Sequence, residues 1–240
     1  MINTVMFDLD GTLLPMDLEE FISKYFALLK HKVESKGYDG AHFMKALFKA
    51  TEQVVANDGS QSNEDCFWNS FCDICDIDKA EINDLIIDFY QNEFHQISNG
   101  LQVSQNMIEI TNILKQKGYR LVCATNPLFP SLASAARLAW SGVDNSAFEH
   151  ISTYEDFHYC KPNPDYFNEV FTKWKINPDN CIMVGNDTQE DGVIEKLGVN
   201  CYIVTDHLIN HDNKEIKTYW HGDSQALLAL VKTFEDIKKV

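Results

Sequence analysis

The chain has 240 residues, of which 45% are hydrophobic and 12% aromatic, so a packed core is expected and a disordered chain is not. Its formal net charge of −16 argues against nucleic acid as a partner, because phosphate backbones would on average be repelled. Neither a signal-peptide pattern nor a long apolar stretch is visible, so we expect a cytoplasmic protein with no membrane partner.

Short apolar runs typical of buried strands alternate with segments of helical spacing along most of the chain. The predicted strands are Thr4 to Phe7, Tyr119 to Ala124, a weaker one at Phe148 to Ser152, Cys181 to Val184, and Cys201 to Val204. The predicted helices among them are Gln105 to Lys117, Pro130 to Trp140, Asp165 to Lys175, Gln189 to Leu197, and Ser224 to Lys238. This alternation predicts an α/β fold with a doubly wound, mainly parallel sheet.

The segment from Met16 to Gly100 differs, because its apolar residues recur at helical spacing without strand-like alternation. Its predicted helices begin near Leu18 and continue at Ala41 to Ala56, Glu64 to Cys75 behind the cap Ser62, and Lys79 to Phe94. We therefore predict an all-helical domain of residues 16–100, inserted into an α/β core made of residues 1–15 and 101–240. The basic run Lys30 to Lys32 is interpreted as a solvated helix face.

The strongest chemical signal is FDLDGTLL, in which Asp8 and Asp10 stand two apart at the end of the first predicted strand. Residues two apart in an extended segment point to the same side, so both carboxylates can face one site. Two neighbouring acids can also hold different protonation states, which suits a nucleophile and a general acid. An Asp-Gly pair after a strand also occurs in ordinary turns, so the segment alone leaves a structural role open.

The segment resembles the first motif, D-x-D-G-T, of the haloacid dehalogenase superfamily, and three later segments resemble that family's other motifs in the same order. By this resemblance, Asp8 is the nucleophile and Asp10 is the general acid and base. Thr125 in LVCATN, with its neighbour Asn126, and Lys161 in YCKPNPDYF are expected to bind the phosphate group. Taken singly, Thr125 also suits a helix cap and Lys161 suits an exposed helix start.

The fourth motif is matched by IMVGNDTQED, which contains Asp187 and Asp191. The resemblance implies that Asp187 binds Mg²⁺ together with the carboxylate of Asp8 and the backbone carbonyl of Asp10. Asp191 is expected behind these ligands, or as an alternative ligand. Oxygen ligands of this kind suit Mg²⁺. His207 and His211 lack a third ligand and are interpreted as part of a surface loop.

The resemblance thus implies a Mg²⁺-dependent phosphatase that hydrolyses a small phosphorylated metabolite through an aspartyl-phosphate, with the helical insert as a mobile cap. Two alternatives stay open. A phosphotransferase or sugar-phosphate mutase would use the same intermediate, and a non-catalytic binding module would keep the fold without the chemistry. The sequence indicates no particular oligomeric state.

Overall fold

The computed structural model describes residues 1–211, 216 and 220–237. Its strands are β1 Thr4–Phe7, β2 Arg120–Cys123, β3 Phe148–Ile151, β4 Cys181–Gly185, β5 Cys201–Val204 and β6 Trp220–Gly222. They form one six-stranded sheet in the order β3-β2-β1-β4-β5-β6, and every neighbouring pair is parallel. The predicted α/β fold with a parallel sheet is confirmed.

Eight α-helices are found in the part of the chain that the structure describes. They are α1 Leu18–Ser35, α2 Gly40–Val55, α3 Asn63–Cys75, α4 Lys79–Gln91, α5 Gln105–Gln116, α6 Ser131–Trp140, α7 Pro164–Trp174 and α8 Ser224–Lys232. Short 3-10 helices lie at Glu93–Ser98, Asn145–Ala147, Pro178–Asn180 and Gly192–Leu197. None of the described helices is long and apolar enough to cross a lipid bilayer.

The sheet is covered on both faces because residues along each strand point alternately to opposite sides. In β1, Val5 and Phe7 belong to the core formed with α5, α6 and α8, whereas Met6 belongs to the core formed with α7 and the 3-10 helix Gly192–Leu197. This double coverage explains why the buried strands read as nearly continuous apolar runs. It also leaves the ends of the strands as the place where polar side chains can gather.

Two predicted helices need correction, and one strand was not predicted. The helix predicted at Gln189 to Leu197 is a 3-10 helix limited to Gly192–Leu197, because residues 188–191 form a turn in which the Asp191 side chain bonds back to the backbone N–H groups of Asn186 and Asp187. The last helix ends at Lys232, where Lys117 Nζ donates to the Lys232 carbonyl at 2.9 Å, and Lys238 lies outside the described residues. Strand β6 was not predicted, since its three residues form a partly exposed edge without an apolar run.

Helices α1 to α4 all lie between β1 and β2 in the chain. Their ends follow local chemistry, as when Ser62 accepts a hydrogen bond from the backbone N–H of Asp65 at 3.0 Å. Phe21 and Tyr25 of α1 share one continuous hydrophobic core with the α/β part, so the insert packs directly on it. The division into a core of residues 1–15 and 101–240 and a cap of residues 16–100 stays a prediction.

The interpretation of Lys30 to Lys32 as a solvated face is wrong for Lys32. Its side chain is buried, and its Nζ forms ion pairs with Asp88 and, at 2.7 Å, with Glu93. These pairs join α1 to the end of α4 and the 3-10 helix that follows it. Lys32 therefore has a structural role within the insert.

Candidate active site

The ends of three neighbouring strands bring distant parts of the sequence together. Strand β1 lies between β2 and β4, with Phe7 opposite Cys123 and Val184. The backbone N–H of Asp8 donates to the Val184 carbonyl at 2.8 Å, which places the first residue after β1 level with the end of β4. In a sheet of this order, ligands bind outside the carboxyl ends of the strands, where the strand order reverses.

The turn after β1 requires a glycine at Gly11, which has a φ of +82°. A Cβ atom there would also lie 2.4 Å from Nδ2 of Asn186, on the loop after β4. Thr12 Oγ1 donates to Oδ1 of the same Asn186 side chain at 3.0 Å. This hydrogen bond and the close approach of Gly11 to Asn186 hold the loop of Asp10 near the loop of Asp187.

Lys161 connects the predicted nucleophile to the fourth motif. Its side chain is fully buried, and its Nζ donates to Oδ1 of Asp8 at 2.9 Å and to Oδ1 of Asp191 at 2.6 Å. Burial raises the pKa of Asp8 to about 8, although the ammonium group of Lys161 opposes this shift. Burial also disfavours the charge of Lys161, but Asp191 and Asp8 together raise its pKa well above the usual value. One ammonium group thus serves two carboxylates, and Asp8 is left short of positive charge.

Asp191 fixes the loop after β4. Its Oδ2 accepts hydrogen bonds from the backbone N–H groups of Asn186 and Asp187 at 3.0 and 3.1 Å. This close approach requires Gly185, since a Cβ atom there would lie 2.1 Å from Asp191 Oδ2. With both of its oxygens engaged in this way, Asp191 orients Lys161 and the loop of Asp187. Its predicted place behind the metal ligands stays a prediction.

Asp10 is held by a residue that sequence reasoning missed. Arg137 of α6 is buried, its Nη1 donates to Oδ2 of Asp10, and its guanidinium lies 4.3 Å from the centre of the Phe129 ring. Oδ1 of Asp10 is buried and has no hydrogen-bond partner among the residues that the structure describes. Burial raises the pKa of Asp10, and Arg137 and Lys161 oppose that shift. The sequence contained one indication of this role, because Arg137 is the single charged residue of the helix SLASAARLAW, whose other residues are apolar or small.

The two residues predicted after β2 differ in their surroundings. Thr125 is buried at the carboxyl end of β2, and its carbonyl accepts a hydrogen bond from the Tyr166 hydroxyl at 3.0 Å. The Asn126 side chain accepts from the backbone N–H of Lys161 at 3.2 Å and donates to Oε2 of Glu190 at 3.1 Å. Asn126 therefore shapes the loop that carries Lys161. Direct contact of Thr125 and Asn126 with a phosphate group stays a prediction.

Asp187 is positioned by its own loop, since its Oδ1 accepts from the backbone N–H groups of Gln189 and Glu190 at 2.7 and 3.0 Å. Burial raises the pKa of Asp187, and it raises the pKa of Glu190 to about 7. Burial is the main cause of both shifts, and the neighbouring carboxylate of Asp191 adds to each. Glu190 is a second residue whose place in the site the sequence did not reveal.

A cleft of about 520 Å³ opens above these residues. Seven acidic side chains and one arginine are among its described lining residues. The acidic residues are Asp8, Asp10, Asp17, Glu19, Asp187, Glu190 and Asp191. The first turns of α1 form one wall, and His207 and His211 line the cleft from the loop after β5. Both histidines are exposed, as expected for a surface loop.

The chemistry of this cleft fits a hard divalent cation. Carboxylate and carbonyl oxygens suit Mg²⁺, and the described lining of the cleft contains seven acidic side chains and one arginine. Within the described residues, no three His, Cys, Asp or Glu side chains are grouped closely enough to hold a metal ion by themselves. The predicted ligands comprise only two carboxylates, of Asp8 and Asp187, and one backbone carbonyl, so they would not form such a group.

Comparisons with known proteins agree with this arrangement. Residues 2–192 match the sequence profile of the haloacid dehalogenase-like hydrolases. Pyrophosphatase PpaX of Bacillus thuringiensis (strain Al Hakam) is 25% identical over 186 residues, which cover 78% of this chain and 75% of that protein.

Two solved structures share the fold. A HAD phosphatase from Thermococcus onnurineus has a TM-score of 0.59 at 20% identity, covering 98% of this chain and all of that one. The HAD-hydrolase YfnB of Bacillus subtilis, bound to magnesium, has a TM-score of 0.58 at 20% identity, covering 96% and 99%. The predictions of the family and of a hydrolytic enzyme are confirmed, since the profile match covers most of the chain. The chain belongs to the haloacid dehalogenase-like hydrolase family.

Proposed function

We propose that this hydrolase is a Mg²⁺-dependent phosphatase that cleaves a small phosphorylated metabolite through an aspartyl-phosphate on Asp8. The observation that carries the proposal is the position of Asp8 in the cleft, with Lys161 Nζ 2.9 Å from its Oδ1 and Asp10 and Asp187 lining the same cleft. The phosphatase names of the relatives support the same reaction type.

In the first half-reaction, a carboxylate oxygen of Asp8 attacks phosphorus, and the bond between phosphorus and the leaving oxygen breaks. We assign the attack to Oδ2, because Oδ1 accepts the hydrogen bond from Lys161. The ammonium group of Lys161 keeps its charge and stabilises negative charge beside the nucleophile. Thr125 and Asn126 are assigned to the phosphoryl oxygens.

Asp10 would move the proton through Oδ1, since Arg137 holds Oδ2. Its raised pKa suits a carboxyl group that carries a proton until the leaving oxygen needs it. In the second half-reaction, the same oxygen takes a proton from water as the water oxygen attacks phosphorus. The bond from phosphorus to Asp8 then breaks, which restores the free carboxylate.

The residues that would hold Mg²⁺ are Asp8 and Asp187, through their carboxylates, and Asp10, through its backbone carbonyl. When bound, the ion would neutralise part of the charge of the carboxylates and the substrate oxygens. The magnesium-bound YfnB structure, which shares this fold, supports the assignment. The expected cytoplasmic location, and the expectation of no nucleic-acid or membrane partner, stay predictions.

The test is phosphate release from a broad panel of phosphate esters, with and without Mg²⁺, by wild-type protein and by Asp8→Asn. We expect Mg²⁺-dependent release that falls by about 10⁴-fold or more in Asp8→Asn, because loss of a nucleophile removes the covalent route. Asp65→Asn is the matched control, since Asp65 is an exposed residue of α3 outside the cleft.

Retained activity in Asp8→Asn with an unchanged circular dichroism spectrum would refute the covalent route. Phosphorus NMR in the presence of an added alcohol would identify a phosphotransferase or mutase, because the phosphoryl group would appear on the alcohol instead of as free phosphate. No release from any ester would favour the non-catalytic binding module.

A further inference from the structure

A second cavity, of about 120 Å³, lies among the inserted helices, and we call it the aromatic cavity. Seven aromatic side chains from α1 to α4 line it, and five of them are at most 7% exposed. The seven are Tyr25, Phe26, Phe43, Phe67, Trp68, Phe71 and Tyr90. The space is partly open to solvent, so an apolar group that entered it would be removed from water on several sides.

The polar atoms around the aromatic cavity already have partners. The hydroxyl groups of Tyr25 and Tyr90 are 2.9 Å apart, and Trp68 Nε1 donates to the Tyr154 hydroxyl at 3.3 Å. Thr51 Oγ1 donates to the carbonyl of Leu47 in its own helix at 2.9 Å. Burial raises the pKa of Tyr25 to about 12, so this residue stays neutral. The cavity therefore presents an apolar surface, which favours an apolar occupant over water.

The aromatic cavity adjoins the cleft that Asp8, Asp10 and Asp187 line, which we call the catalytic cleft. Ile22, Leu128 and Phe129 line both of them. Phe129 lies against the guanidinium of Arg137, which in turn binds Asp10. Asp10, which is proposed to protonate the leaving oxygen, is thus linked through Arg137 to Phe129 in the wall of the cavity. These three side chains border both spaces, so a group attached to that oxygen would have to pass them to enter the cavity.

The charges of the cleft restrict what the leaving group can be. Asp17 and Glu19 of the insert line it beside the apolar Phe21 and Ile22. Among the described residues, Arg137 is engaged by Asp10, and Lys161 is engaged by Asp8 and Asp191. The two lining histidines stand on the loop after β5 and not on the insert. A carboxylate or second phosphate on the leaving group would therefore meet acidic and apolar side chains at the insert.

We propose that the substrate is a phosphate monoester of an uncharged, ring-bearing alcohol, whose ring enters the aromatic cavity while its phosphate binds at Asp8. This inference rests on the proposed phosphatase function and adds the class of leaving group. A space of this size suits a single six-membered ring. Edge and face contacts with the surrounding aromatic rings would stabilise an aromatic ring in particular.

The test compares kcat/KM for benzyl phosphate, methyl phosphate, 2-phosphoglycolate and pyrophosphate. We expect wild-type protein to prefer benzyl phosphate over each of the others by about tenfold or more, because burying a ring removes far more apolar surface from water than burying a methyl group. Benzyl alcohol should also raise the thermal unfolding temperature of Asp8→Asn, which reports ring binding without any turnover.

The variant Thr51→Phe places a ring inside the aromatic cavity, since Thr51 lines it from α2. It should lower the preference for benzyl over methyl phosphate to within about threefold and abolish the stabilisation by benzyl alcohol. Gln53→Phe is the matched control, because Gln53 is an exposed residue of the same helix outside the cavity. Thr51→Leu, a smaller filling change, serves if Thr51→Phe does not fold.

Three results would overturn the proposal. A wild-type enzyme that turns over benzyl and methyl phosphate equally, or that prefers pyrophosphate or 2-phosphoglycolate, would refute the ring pocket and leave the phosphatase function intact. An unchanged preference in folded Thr51→Phe or Thr51→Leu would show that the ring binds elsewhere. No turnover of any ester would refute the phosphatase function and, with it, this inference.

Discussion

The catalytic cleft and the aromatic cavity share three lining residues, yet they are built in opposite ways. In the cleft, buried carboxylates exceed their cations, and the pKa values of Asp8, Asp10 and Asp187 are raised by burial. In the aromatic cavity, the hydroxyl groups of Tyr25 and Tyr90 pair with each other. The cleft thus carries a charge deficit that a metal ion can relieve, whereas the cavity presents a surface that an apolar group can cover.

Under the proposed function, reactivity and selectivity would have separate structural origins. The loops at the ends of β1, β2 and β4 would carry the reacting and phosphate-binding groups, and the inserted helices surround the space next to them. Buried charges are tolerated only where a partner or a metal ion compensates for lost hydration. The two sites should therefore respond differently to substitutions of equal size.

The largest effect is expected from Lys161→Met. If the protein tolerated this change, the contrast between the charged cleft and the apolar cavity would not hold. Removing the ammonium group leaves Asp8 and Asp191 buried beside each other without their shared cation. We expect the free energy of unfolding to fall by about 3 to 5 kcal/mol, measured by urea denaturation. Activity should be lost in the same variant.

The control for this change is Lys49→Met, which removes an exposed lysine paired with Glu52 on α2. We expect a change within about 0.5 kcal/mol there, because exposed ion pairs contribute little. An equally small change in Lys161→Met would mean that the buried carboxylates take up protons at little cost. The cleft would then tolerate the loss of a buried charge, contrary to the difference expected between the cleft and the cavity.

An intermediate effect is expected from Arg137→Lys, which keeps the charge but loses the planar guanidinium group whose Nη1 holds Asp10 while its other nitrogens bond to Ala133 and Ser134. A displaced Asp10 should lower kcat by about 10- to 100-fold with little change in KM, since proton transfer rather than binding is affected. Steady-state kinetics with Mg²⁺ measures this split. Arg120→Lys is the control, because Arg120 pairs with Glu149 and bonds the carbonyl of Trp174. A rise in KM at constant kcat would instead assign Arg137 to substrate binding.

The smallest effect concerns the pH dependence of stability in metal-free protein. Burial raises the pKa of Glu190 to about 7, so the folded state keeps a proton that the unfolded chain releases near pH 4.5. The free energy of unfolding therefore falls as pH rises between these two values. Glu190→Gln should reduce this fall by about 1 kcal/mol, measured by urea denaturation at several pH values with a chelator present. An identical pH profile in both proteins would show that Glu190 is hydrated in the folded state.

Some parts of the site followed from the sequence because they depend on local pattern. Asp8 directly follows β1 and Asp187 lies two residues after β4, and both strands end at one sheet edge, so the strand pattern was enough to place the two residues together. Outside the site, the N-terminal cap of helix α3 at Ser62 also followed from local chemistry. The role of Arg137 did not follow from the sequence, because its contact with Asp10 spans 127 positions and depends on how α6 packs over the end of β1. Lys32 was misjudged for the same reason, as its partners lie on α4 and beyond.

The sequence by itself determined the alternation of strands and helices, the helical insert and the order of the four motifs. Each of these is written in hydrophobic periodicity or in residues a few positions apart, so no knowledge of packing was needed. Only the tertiary structure decided that Lys161 is shared by Asp8 and Asp191, that Arg137 holds one oxygen of Asp10, and that an apolar cavity adjoins the cleft. These features depend on the angles at which helices pack and on the space left between them, which side-chain volumes set jointly and no single segment encodes.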